Sequence, residues 1–136
     1  MKTLLAMIMS VVCLNSVCLA AENWVKISKG EKNNVFIDKS SISKNALSVG
    51  AWFKIEKMTD STPIDGKTPT SMKIFQECIC SKNATRAKEI ILFDKKKAII
   101  GQAAKANADW QPVTQGSKNE IVCAALCGGT GNPHSK

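Results

Sequence analysis

Between Leu47 and Glu56 the chain alternates with a period of two. Leu47, Val49, Ala51, Phe53 and Ile55 are apolar, and Ser48, Gly50, Trp52, Lys54 and Glu56 fall between them. Side chains on a strand point to opposite faces in turn, so this pattern predicts a strand with one buried face. Trp52 falls on the polar face. There it serves either a second packing layer or an exposed binding patch. Shorter runs predict further strands at Asn23–Ser28 and Asn33–Asp38, with Gly30 in the turn between them. Residues 39–45, KSSISKN, read as a polar turn or a single helical turn. Met72–Cys80 reads as a strand with Met72, Ile74, Cys78 and Cys80 on one face and Gln76 as the polar exception. Ala87–Asp94 is apolar on both faces, which predicts a central strand. Lys96–Ala103 is expected to pair with it through a lysine-bearing turn. Met58–Ser71, with Pro63, Gly66 and Pro69, predicts a long, mobile, ligand-facing loop.

The last element has a different period. Ser117 stands three residues before Glu120, just ahead of an apolar run, in the pattern of a capping box. Gly128 and Gly129 follow, suited to a left-handed helix end. The spacing predicts a helix over 118–127. Successive strands joined by short turns, followed by one helix, predict an α+β domain. Its core is an antiparallel meander with the C-terminal helix packed on it and tied to a strand.

The first twenty residues read as a secretory leader: Lys2, an apolar run from Leu4 to Val12, and a small-residue exit at Ala20. The run is too short to span a bilayer as a helix. Cys13 and Cys18 follow Val12 and Val17, where a lipoprotein cleavage box needs a small residue, so a freely released protein is expected. The chain thus divides into a leader (1–20), one domain (21–128) and a flexible tail (129–136), exported to the periplasm or the outer cell surface. Removing Lys2 with the leader leaves 18 basic residues against 11 acids, a net charge of +7. A secreted protein rarely meets nucleic acid, so nucleic acid is not expected as a partner despite the charge. The charge favours acidic cell-surface polymers instead.

Four cysteines remain. Cys78 and Cys80 share a strand face, and Cys123 and Cys127 share a helix face. Their spacings along the two elements are close, about 6.7 Å and about 6 Å. A helix lying along that strand makes two parallel disulfides. One strand-to-helix bridge would close a loop of about 45 residues, worth roughly 4 kcal/mol in the chain-entropy model. A tetrahedral zinc site wants CxxC knuckles, which are absent. A redox pair wants CxxC at a helix start, and these cysteines sit at a helix end.

No catalytic constellation is legible, and no cofactor or metal is expected. The only histidine, His134, lies in the tail, and Asp60 and Asp65 sit in a loop where acids serve turns. The reading is a binding module and not an enzyme. Its candidate binding residues are Trp52, Lys54, Lys67, Lys95, Lys96 and Lys97.

Five separated stretches together resemble the surface-adhesin protein E family of Gram-negative secreted proteins. They are NWVKI at the mature start, VFIDKSSI at 35–42, AWFK at 51–54, LFD ending at Asp94, and WQPVTQGSKNEIVCAALC at 110–127. The chain departs from the family pattern at Gln115 and at Lys95–Lys97, and it has no tyrosine. The resemblance implies an antiparallel sheet with a C-terminal helix bonded to a strand through Cys80 and Cys127. Cys78 and Cys123 would then form an additional bridge. It also implies adhesion to host extracellular-matrix or serum proteins. A periplasmic accessory protein without a host partner is the alternative.

Overall fold

The computed structural model describes residues 21–28 and 34–128. The expected leader, the expected tail with His134, and the turn expected around Gly30 lie outside the described residues. Among the described residues, eight strands form one antiparallel sheet: β1 (Trp24–Lys26), β2 (Asn34–Asp38), β3 (Ser43–Lys44), β4 (Val49–Glu56), β5 (Ser71–Ile79), β6 (Ala84–Phe93), β7 (Ile99–Ala104) and β8 (Gln111–Pro112). One helix, α1 (Lys118–Leu126), closes the fold. The spatial order is β1-β2-β4-β5-β6-β7. The short strand β3 pairs with β4, and β8 pairs with β6.

The register explains which face is buried. Ile37 faces Phe53, Phe53 faces Ile74, and Ile74 faces Ile90, so one apolar row crosses four strands. Val35, Ile55 and Met72 extend a parallel row. Helix α1 lays Val122, Cys123 and Leu126 onto this face, over Val49, Ala51 and Cys78. Ala51 and Phe53 are fully buried. Burial of this kind stabilises by about 25 cal/mol per Å² of apolar surface removed from water.

Gln76, the polar exception, sits in this core and is satisfied there. Its amide donates to Thr85 Oγ1 (2.7 Å) and to Asn119 Oδ1 of the helix (2.8 Å). A buried polar group is tolerated when it finds such partners. Two disulfides, Cys78–Cys123 and Cys80–Cys127, fasten the helix to the end of β5. Cys80 lies just past the strand, in a single 3-10 turn at Cys80–Lys82, and Asn83 reverses the chain at φ 48°.

Two local expectations are realised differently. Ser117 takes the N-cap position, but its hydroxyl donates to the Thr114 carbonyl, and Glu120 accepts from the Gly116 N–H. The 58–71 loop is anchored at both ends: the Met58 N–H donates to the Thr70 carbonyl and the Thr70 N–H to the Phe93 carbonyl. A tight turn inside the loop bonds Ile64 to Lys67 in both directions, at 2.8 and 2.9 Å. Gly101 leaves room for Ile64, whose Cδ1 would lie 3.3 Å from a Cβ there.

Candidate functional site

The sheet has a second face, turned away from the helix, and the aromatic residues are on it. Of three tryptophans and four phenylalanines, only Phe53 belongs to the core. Trp24, Phe36, Trp52, Phe75 and Phe93 all occupy register positions on the opposite face. All five are half-buried. Large apolar rings are normally the first to be covered, so a row of them on the uncovered face is informative.

These rings alternate with paired cations. Trp52 and Phe75 meet edge to face with centroids 5.6 Å apart. The Lys54 ammonium stands over Trp24 (4.9 Å) and Phe36 (5.0 Å) while pairing with Glu56 at 3.3 Å. Lys73 stands over Trp24 at 5.5 Å and pairs with Glu22 at 3.3 Å. The Trp24 indole N–H donates to Glu22 (2.8 Å), and this bond is the chief cause of the lowered Glu22 pKa.

At the other end of the face lies an ion cluster. Glu77 is 7% exposed and takes Lys88 at 2.9 Å, Arg86 at 3.2 Å and the Ser48 hydroxyl at 3.3 Å. Burial alone would raise its pKa. The Lys88 hydrogen bond and the Arg86 charge outweigh that and hold it below the usual glutamate range. The Arg86 guanidinium lies 4.3 Å from the Trp110 ring centroid and also donates to the Ala108 carbonyl at 3.4 Å.

The candidate residues fall into two groups. Trp52 and Lys54 share the aromatic face. Lys67 stands in the tight turn of the 58–71 loop, and Lys95, Lys96 and Lys97 form the β6–β7 turn, where the Asp94 carboxylate accepts the Lys96 and Ala98 N–H groups. These two turns lie at the same end of the sheet, since Thr70 bonds Phe93. All four lysines are exposed, and none pairs with a carboxylate among the described residues. Sequence reasoning missed Trp24, Phe36, Lys73, Phe75, Arg86 and Trp110. The signal was present: once the apolar row is aligned across strands, the aromatics fall out of phase with it.

Two open grooves flank the helix. One, of about 650 Å³, is lined by Ile42, Leu47, Val49, Leu126 and the half-cystines Cys78, Cys80 and Cys127. The other, of about 780 Å³, runs between Ile27 and the Ile121–Ala125 surface of α1. Among the described residues no three of His, Cys, Asp and Glu gather as metal ligands. Among them, too, no helix is long and apolar enough to cross a membrane.

Residues 24–128 match the family model described as surface-adhesin protein E. Solved structures of Haemophilus influenzae protein E share the fold. The structure of Haemophilus influenzae protein E superposes with a TM-score of 0.51 at 12% identity, covering 78% of this chain and 84% of that one. Its second crystal form gives 0.53 at 12% identity, covering 78% and 87%. No curated protein matches the chain by sequence.

Proposed function

The chain belongs to the surface-adhesin protein E family, and we propose that it is an exported, surface-exposed binding module, adhesin-like and without catalytic chemistry. The observation that carries this reading is the aromatic face: five rings and two ring-stacked lysines on the side of the sheet that the helix leaves uncovered. Half-exposed aromatics gathered on one uncovered face are the enriched component of protein-binding surfaces, where tryptophan anchors carry a large share of the affinity.

Trp52 and Lys54 contribute from the face itself. Lys67, Lys95, Lys96 and Lys97 supply unpaired positive charge at the sheet end, suited to acidic polymers or to acidic patches of host matrix and serum proteins. The lysines on the face are neutralised by Glu56 and Glu22, so they orient rings and the turn lysines attract. Protease shaving of intact cells tests the surface placement, with a periplasmic protein blotted as control. Loss of this protein while the control survives supports the reading. Survival of both places the protein inside the envelope and removes the host-partner role.

A further inference from the structure

The two edges of the sheet are unlike. β1 is three residues long, too short to invite another strand. β7 is six residues, Ile-Ile-Gly-Gln-Ala-Ala, with no charge and no proline inside it. Ile99 is 59% exposed. One side of β7 pairs with β6, and no described strand takes the other.

The outward side has a definite polarity. The Lys105 N–H donates to the Lys88 carbonyl (2.8 Å), so position 105 bonds inward. In an antiparallel ladder inward and outward residues alternate. Ala103 and Gly101 therefore also bond inward, and Ala104 and Gln102 present their N–H and C=O groups outward. The only break in the β6–β7 register lies at Leu92/Phe93, near the turn, and leaves this stretch regular.

Proteins usually blunt such an edge with a charge or a proline inside the strand. Here the charge lies outside it. Lys95, Lys96 and Lys97 precede β7 and Lys105 follows it; Glu89 of β6 stands across from Ala104, and the Asp94 carboxylate is engaged by backbone N–H groups. Two copies pairing antiparallel through β7 would set the three lysines of each against Lys105 of the other. Parallel pairing would set the three against their own equivalents. Like charges opposite one another oppose both arrangements. A strand with an uncharged centre and carboxylates at its ends meets no such opposition.

We propose that the β7 edge takes up an extended segment of a partner protein as an added antiparallel strand. Its acidic ends lie against Lys95–Lys97 and Lys105, and its main chain bonds Gln102 and Ala104. This is strand addition, in which main-chain bonds give affinity and flanking groups give selectivity. The proposal rests on the binding-module reading and gives it a site separate from the aromatic face.

The test uses two synthetic peptides with the same six-residue Val-Thr centre, one ended by aspartates and one by lysines. The purified chain binds the aspartate-ended peptide at least tenfold more tightly than the lysine-ended one. Hydrogen exchange slows at Gln102 and Ala104 on binding. Replacing Lys95, Lys96 and Lys97 together by Glu inverts the preference, and Gln102→Pro, with its melting temperature checked, removes binding. Equal binding of both peptides, or protection elsewhere, overturns the proposal. So does concentration-dependent dimerisation that protects β7 without peptide. If the peptides fail but the chain still binds host matrix through Trp52, the edge proposal falls and the binding-module reading stands.

Discussion

Gly50 stands directly across from Glu77 in the β4–β5 ladder, and a Cβ on Gly50 would lie 2.9 Å from the Glu77 Cγ. The same Cβ would lie 3.2 Å from both the Gln76 carbonyl oxygen and Phe75 Cε1. A hydrogen at this position is what lets the Glu77 carboxylate sit between Arg86 and Lys88. Gly50→Ala is expected to push Glu77 off its partners and to cost about 1–3 kcal/mol by overpacking. At roughly 4 °C per kcal/mol for a domain of this size, thermal unfolding followed by circular dichroism reads the loss.

Glu77 also predicts how stability responds to acid. Its folded pKa lies below the unfolded value. Its contribution is therefore present above the ordinary glutamate range and is lost as pH falls through the folded pKa. Asp38 acts in the same direction: its burial would raise the pKa, but hydrogen bonds from Ser40 and Asn23 lower it. Urea midpoints should be level near neutrality in the native chain and fall as the pH is lowered through and below the ordinary carboxylate range. Glu77→Gln should flatten part of that fall and leave the Asp38 share.

The two disulfides should behave as a coupled pair with unequal access. Cys78 and Cys123 are 1% and 7% exposed, whereas Cys80 and Cys127 are on the surface. A mild thiol reductant should open Cys80–Cys127 first, which alkylation and peptide mass mapping detect. The bridges span 45 and 47 residues. Removing one leaves the other closing nearly the same loop, so only a small ring is lost, on the order of 2 kcal/mol. Removing both opens the long loop as well, for a total of roughly 6 kcal/mol. The double loss should exceed the sum of the single losses.

Adjacent residues on β4 separate stability from binding. Phe53→Ala empties the core and should cost about 3–5 kcal/mol. Trp52→Ala removes a half-buried ring and its edge-to-face contact with Phe75, for about 1–2 kcal/mol. The first should lower the melting temperature sharply. The second should lower it modestly and weaken binding to host matrix and serum proteins several-fold.

Most of the fold was legible because one face of one strand alternates so regularly. The Val49–Ile55 phase and the helix spacing of Cys123 and Cys127 are local signals with a single physical reading. β3 and β8 were missed because two-residue strands, at Ser43–Lys44 and Gln111–Pro112, bury nothing and so leave no hydrophobic pattern. The ligand-facing loop expected at 58–71 carries an anchored Ile64, because Gly101 opens a place for it from a strand more than thirty residues on. The aromatic face was half legible. Trp52 and Lys54 stand out on their own strand, but Trp24, Phe36 and Phe75 join them only through register across the sheet. No single-strand pattern contains that register.

The central claim is that the aromatic face binds. The most direct measurement is binding of the purified chain to immobilised host matrix and serum proteins, native against a Trp52→Ala, Lys54→Ala double variant shown to be folded. A loss of at least tenfold in affinity, about 1.4 kcal/mol, is the predicted result. Native-like binding by the folded double variant would contradict the account and move the site off this face.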